Sequence, residues 1–358
     1  MLQLLPEVKV ALDGLSDGFT RFSTKPEMND DCQEIRQIMQ YIDNRIALLS
    51  SELVLKTPQS LREMLREGLT IKKNADRALC TYVGVLLGEG KPDNHFDHFL
   101  ALELQDISIL LIDDVLDGAE RRATLEAHHH KWGFGGTAIT ASFIDAMSRN
   151  LVLQSRLQAE DIRRVLTEME QIQLAVYEGQ YIDLFYQTAP IDSISTDDYL
   201  RMVSKTTGAQ FAGCFRIGAY LSHMEDGLIG RLGEIGMNFG IIGQIRDDLI
   251  DYLQDEVATW KTPMLDFRTF KKRIPLLVAW QHATQDERKE IQRLAGKQPL
   301  DGDDILHLLS LIMKPDCLAV IEQLVRQLEL EARERLESFT SGLEGKRLLD
   351  ILFRMIHV

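Results

Sequence analysis

Apolar residues recur at intervals of three and four along almost the whole chain, and no segment shows the strict alternation of a half-buried strand. Most of the prolines fall between these periodic stretches. Pro6, Pro26, Pro58, Pro92, Pro190, Pro263, Pro299 and Pro315 read as breaks, and Pro275 within "KKRIPLLVAW" reads as the first turn of a helix. Polar breaks such as "LGEGKPDNH" and "TAPIDSISTDD" cut the chain into roughly a dozen helices. The second break ends on Thr196, Asp197 and Asp198, side chains that suit a helix N-terminus. In "KRLLDILFRMIHV" the apolar residues Leu348, Leu349, Leu352, Met355 and Ile356 share one stripe, which predicts a terminal helix docked on the core. The pattern predicts an all-α protein, with residues 1–45 as a helical extension and 46–358 as one large helical domain.

Composition narrows the function classes. At 358 residues, 45% apolar and 27% charged, the chain is globular and can bury a large core. A net charge of −15 argues against nucleic acid as a partner, but not against a small anion bridged by divalent metal. Cys32, Cys80, Cys214 and Cys317 form no closely spaced pair and read as reduced structural thiols. "MLQLLPEVKVALDGL" lacks a basic leader segment, and no apolar run approaches a membrane span. A cytoplasmic protein without a transmembrane segment is the expectation.

The chemistry-bearing feature is a repeated acid pattern. "ILLIDDVLDGAERR" carries Asp113, Asp114 and Asp117 directly after an apolar run, and "FGIIGQIRDDLIDYL" carries Asp247, Asp248 and Asp251 in the same setting. The i, i+4 spacing puts Asp113 with Asp117, and Asp247 with Asp251, on one helix face. One such motif in a chain with 55 acidic residues reads best as a solvated surface; two in matched contexts do not. Facing carboxylate clusters repel unless cations lie between them. Oxygen ligands without His or Cys point to Mg²⁺, with Mn²⁺ as the alternative, and phosphate oxygens commonly complete a Mg²⁺ shell. The pattern therefore implies a diphosphate held by metals between two helices. Basic residues follow in order: Arg121 and Arg122, Lys205 with Thr206, Lys261, then Asp266 and Lys271 in "DFRTFKKRIP".

Taken together, these segments resemble the trans-isoprenyl diphosphate synthases of the polyprenyl synthetase superfamily. "DDVLDGAERR" and "GQIRDDLID" are similar to the two Asp-rich motifs of that family, "KTTG" to its Lys-Thr signature, "EGQYIDL" to its Gly-Gln-x-x-Asp segment, and "KTPMLDFRTFKKRIP" to the tail that follows. The likeness runs collinearly over roughly residues 60–280. It implies a single helical bundle of the isoprenoid synthase type with a central apolar cavity, three Mg²⁺ per site, an allylic prenyl diphosphate as substrate, and a homodimer. By the same analogy Arg121, Lys205 and Lys261 ligate the diphosphate and Gln244 lines the site. Ionising the allylic C–O bond moves negative charge onto the leaving diphosphate, where metals and basic groups stabilise it most in the transition state.

The chain departs from the family where a second, homoallylic diphosphate would bind. In "KNADRAL", Arg77 matches the family arginine, but Asn74 and Ala78 stand at its lysine and proline; Lys72 and Lys73 are the nearby substitutes. Glu103 aligns with a family Glu, while Asp106 replaces a histidine and would repel a second diphosphate. Residues 142–143 read Ser-Phe where Gly-Asp is expected. On this pattern, terpene formation by cyclisation or rearrangement ranks first and elongation with isopentenyl diphosphate second. Transfer to another acceptor and a non-catalytic partner subunit follow. Ser108 and Ile109, one turn before the first motif, are not aromatic, so the floor implied is deep enough for fifteen- to twenty-carbon tails. Phe185, Phe211 and Phe215 are candidate lining residues that could stabilise cations through their faces, with core packing the safer reading for each. Three successive histidines, His128 to His130, point about 100° apart and cannot chelate one ion; His128 is instead expected near the diphosphate. The product is set by cavity contour and is not legible.

Overall fold

The computed structural model describes residues 26–72, 74–122, 125–253, 265–295, 297 and 300–356. Nearly all of them are helical: α1 (Pro26–Leu55), α2 (Arg62–Leu69), α3 (Asp76–Leu87), α4 (Phe96–Leu116), α5 (His128–Leu153), α6 (Ala159–Thr188), α7 (Thr196–Val203), α8 (Ala209–Leu221) and α9 (Asp226–Leu253). The chain continues through α10 (Leu265–Arg268), α11 (Ile274–His282), α12 (Gln285–Ala295), α13 (Gly302–Ile312), α14 (Pro315–Glu337) and α15 (Leu343–Ile356). Helix α1 runs unbroken through residues 45 and 46. Pro275 lies in the first turn of α11, as its place in the pattern predicts. Helix α7 starts at Thr196, where the break predicts an N-terminus. Ser195 and Asp198 form a reciprocal capping box there.

Helix α4 is the central element. It is apolar on nearly every face and buried along most of its length, as a helix packed on all sides must be. It lies along α5, while α8 packs against both α3 and α9. That second contact depends on small residues: a Cβ at Gly218 would lie 2.4 Å from Thr81 O and 2.8 Å from Gly84 Cα. The docked C-terminal helix is found as expected, with Leu348, Leu349 and Leu352 buried. The hydrophobic pattern predicts no strands, yet two short ones, β1 (Arg121–Arg122) and β2 (Leu125–Glu126), pair antiparallel just after α4, with Arg121 opposite Glu126. Two-residue strands are too short to show alternation.

Candidate active site

A cavity of about 690 Å³ opens among α3, α4, α6, α8 and α9, within the usual size of a small-ligand site. Asp113, Asp114 and Asp117 line it from the end of α4, and Asp247, Asp248 and Asp251 from the end of α9. Both clusters sit at helix C-termini with no basic residue in the last turn. A helix C-terminus carries partial negative charge, so acids there cost stability, roughly 0.3–1 kcal/mol each in exposed sites. Two helices built against this rule, ending on one cavity, need compensating cations.

Part of that compensation is internal. Gly118, at φ +61°, ends α4 in the left-handed conformation that glycine favours, and the short hairpin then carries Arg122 back over the acids. Arg122 Nε donates to both oxygens of Asp114 at 2.8 Å, and its Nη2 reaches Asp113 Oδ2 at 3.3 Å. Burial raises Asp114 above the usual carboxylate range against this pull. Asp113 Oδ1 also accepts from Gln180 Nε2 at 2.7 Å. Asp117 Oδ1 accepts from Lys271 Nζ at 2.6 Å, and burial, then Asp113, push its pKa up to about 6.

On α9, Asp248 accepts from Tyr199 Oη at 2.7 Å and from Gln244 Nε2 at 2.8 Å. Burial lifts it to about 6. Gln244 Oε1 accepts in turn from Thr207 Oγ1 at 2.6 Å. Thr207 lies in a π-helical turn over Ser204–Gly208, an irregularity that often marks functional sites. A Cβ at Gly179 would lie 2.6 Å from Thr206 Cγ2, so the glycine of "EGQ" lets α6 press against this turn.

The two acidic ends are tied to each other. Asp251 Oδ2 accepts from Asp266 N at 3.1 Å, Lys271 N donates to Asp266 O at 2.7 Å, and Lys271 Nζ reaches Asp117. Beside this strap, Arg273 pairs with Asp183 at 2.9 Å. Asp183, Tyr199 and Arg273 were not singled out from sequence, although "EGQYIDL" contained the first. Their partners lie 49 to 90 residues away, and spacing carries no signal over that range.

The other expected residues divide. Arg121, Thr206, Ile109 and Phe211 line the cavity. Lys205 is not in its lining; Nζ lies 2.7 Å from Glu178 Oε2 in a partly exposed pair. Lys261 falls outside the described residues. Ser108 is buried, bonds to Gln105 O at 2.7 Å and does not reach the cavity, because one residue turns a helix by 100°. Phe185 is corrected outright. It is 61% exposed, since Asp183 two residues earlier points inward and a two-residue step faces the opposite side. Phe215 is buried core against Phe239. His128 does not line the cavity either; its ring sits between Thr137 Oγ1 at 2.8 Å and Met64 O at 3.2 Å.

Away from the Asp-rich ends, Lys72 Nζ contacts Asp76 at 2.5 Å, Asp106 at 2.5 Å and Glu103 at 2.7 Å. Arg77 contacts Asp76 at 2.8 Å and Asp106 at 3.2 Å, and stacks on Phe211 at 4.1 Å. Lys72, a nearby substitute for the lysine absent at Asn74, is thus already engaged by carboxylates, while Lys73 lies outside the described residues.

For Mg²⁺ the donor set fits at Asp113, Asp117, Asp247 and Asp251: carboxylate oxygens only, on one cavity, at helix ends that want positive charge. Asp114, expected among the ligands, is held on both oxygens by Arg122, and Asp248 is fixed beneath Tyr199 and Gln244. Among the described residues, the three carboxylates drawn within 4.8 Å of one another are Asp76, Glu103 and Asp106, but Lys72 already occupies their centre. That set does not replace the Asp-rich ends as a metal site. No helix of the described residues is long and apolar enough to cross a membrane.

Residues 59–312 match the family model described as polyprenyl synthetase. The chain is 29% identical over 252 residues to geranylfarnesyl diphosphate synthase of Aeropyrum pernix, covering 69% of this chain and 77% of that one. It is 26% identical over 216 residues to geranylgeranyl diphosphate synthase of Sulfolobus acidocaldarius, covering 60% and 65%. Among solved structures, a polyprenyl synthetase from Streptomyces coelicolor superposes with a TM-score of 0.82 at 18% identity, over 90% of this chain and 100% of that one. At that identity the likeness shows the fold.

Proposed function

The chain belongs to the polyprenyl synthetase family, and from that premise we propose that it ionises an allylic prenyl diphosphate and transfers the prenyl group to a homoallylic diphosphate, lengthening the chain. The observation that carries the first half is the sharing of one cavity by Asp113, Asp117, Asp247 and Asp251. These four would hold Mg²⁺, which when bound supplies positive charge to the leaving diphosphate. Arg121 and Arg122 lie at the same wall and favour the departing negative charge. Lys271 keeps the second acidic end registered on the first. Ile109, Val176 and Phe211 give the tail an apolar wall and keep water from the prenyl cation.

The relatives above are named as diphosphate synthases, which supports elongation over the terpene formation that the eroded motifs suggested. Ionisation with no second substrate stands as the second reading on one observation: Lys72 and Arg77 are already paired to Asp76, Glu103 and Asp106. Incubating the protein with Mg²⁺ and a ten-, fifteen- or twenty-carbon allylic diphosphate, with and without isopentenyl diphosphate, separates them. Longer diphosphates mark the first reading. Hydrocarbon or alcohol made without the co-substrate marks the second, and no Mg²⁺-dependent turnover contradicts both.

Leu174, Tyr177, Tyr181 and Phe185 form one exposed apolar stripe on α6. A second copy of the chain is the proposed cover for it.

A further inference from the structure

The cations Lys72 and Arg77 stand apart from the Asp-rich ends, and their own chain has already answered them. Lys72 Nζ is shared by three carboxylates, Asp76, Glu103 and Asp106. The Arg77 edge is taken by Gln210 Oε1, at 2.8 Å from Nε and 2.5 Å from Nη2, and by Asp76 at 2.8 Å. One face of its guanidinium lies on Phe211. Asp76 and Asp106 already match the two bases in charge, and Glu103 is a third carboxyl in contact with Lys72. Asp106 Oδ1 has Arg77 Nη2 at 3.2 Å yet no hydrogen bond of its own, while the Arg77 N–H groups are engaged by Gln210 and Asp76. Asp76 and Arg77 reach the cavity wall, and the Asp76 side chain is 40% exposed. An anion approaching Arg77 from the cavity meets the Asp76 carboxylate beside it.

We propose that Asp76 is a built-in substitute for a second diphosphate: with Asp106 it holds Lys72 and Arg77 where a phosphate group would, and it sets how weakly the chain binds its homoallylic co-substrate. This deepens the prenyl-transfer reading and rests on it. Such an internal anion disfavours an incoming one twice, by like-charge repulsion and by using the donors it needs. Removing the charge of Asp76, while keeping its shape, frees one edge of Arg77 and one contact of Lys72.

The test uses isopentenyl diphosphate as the probe, titrated calorimetrically into the full-length protein in EDTA, so that the Asp-rich ends cannot hold it through metal. Asp76→Asn is expected to bind at least tenfold more tightly than wild type, and adding Arg77→Gln should erase the gain. Asp106→Asn provides a second variant if Asp76→Asn does not fold, with the same direction expected. A merely structural role for these acids would not create tighter binding. Equal affinity in wild type and variant, or tight metal-free binding by the wild type itself, overturns the proposal. Mg²⁺-dependent turnover of allylic diphosphate by the wild type is measured separately. Its absence contradicts the prenyl-transfer reading, whereas its presence beside an unchanged Asp76→Asn affinity contradicts this inference alone.

Discussion

Lys271 Nζ lies 2.6 Å from Asp117 Oδ1, joining residues 154 positions apart, and so links the segment after the second acidic helix to the end of the first. Lys271 is 4% exposed and also sits 3.8 Å from Asp183 and from Asp266. Its ammonium is an internal counter-charge for Asp117, Asp183 and Asp266, as Arg122 is for Asp113 and Asp114.

Lys271→Met should therefore destabilise the metal-free protein. Removing one partner of a buried pair leaves an uncompensated charge, and because Asp117 keeps some solvent contact the loss expected is about 3 kcal/mol. Mg²⁺ should recover part of it by supplying the missing charge. Chemical denaturation with and without Mg²⁺ measures both effects; a variant as stable as wild type in EDTA would remove the strap from the account.

Glu103 predicts a pH dependence. Its Oε1 accepts from Ala78 N at 2.7 Å and its Oε2 from Lys72 Nζ at 2.7 Å. Burial pushes its pKa up to about 7, with Asp76 and Asp106 adding to the rise and Lys72 opposing it. A carboxyl raised in the folded state binds more protons there than in the unfolded chain. Its contribution is complete below the usual value of 4.5 and is lost as pH rises through about 7. Glu103→Gln cannot titrate, so its stability relative to wild type should improve between those limits. A stability difference that stays flat across that window would count against this assignment.

Ile109 and Ser108 should behave differently although they are adjacent. Ile109 lines the cavity, so Ile109→Phe is expected to shorten the longest allylic diphosphate turned over. Ser108 is buried elsewhere, so Ser108→Phe overpacks the core, at about 1–3 kcal/mol, without selecting by length. Turnover across ten-, fifteen- and twenty-carbon substrates distinguishes them, and identical length profiles for both variants would contradict the cavity wall as described.

Tyr181, 72% exposed at the middle of the α6 stripe, tests the proposed pairing. Sedimentation of the wild-type protein should give a dimer, and Tyr181→Glu should shift it towards monomer. A monomeric wild type would leave that stripe without a second copy as its cover.

The fold and the acidic ends were legible because both are written locally. Helical periodicity and the i, i+4 spacing of Asp113 with Asp117 and of Asp247 with Asp251 need no knowledge of distant contacts. Pairs made across the bundle were not: Asp183 with Arg273, Tyr199 with Asp248 and Arg77 with Gln210 join helices far apart in sequence. Phe185 was misplaced because aromatic type alone does not tell which face of α6 turns inward. Asp76 was overlooked beside Arg77, although its i, i+4 relation to Lys72 was readable.

The central claim is that the acids of α4 and α9 serve one site, and a double-mutant cycle on Asp113→Ala and Asp247→Ala tests it most directly, with Mg²⁺-dependent consumption of an allylic diphosphate as the readout. Groups that act as a unit are strongly non-additive. Each single variant should lose at least about a hundredfold in turnover, and the double variant should be little worse than either. Losses that multiply, or a single variant that retains wild-type turnover, would contradict it.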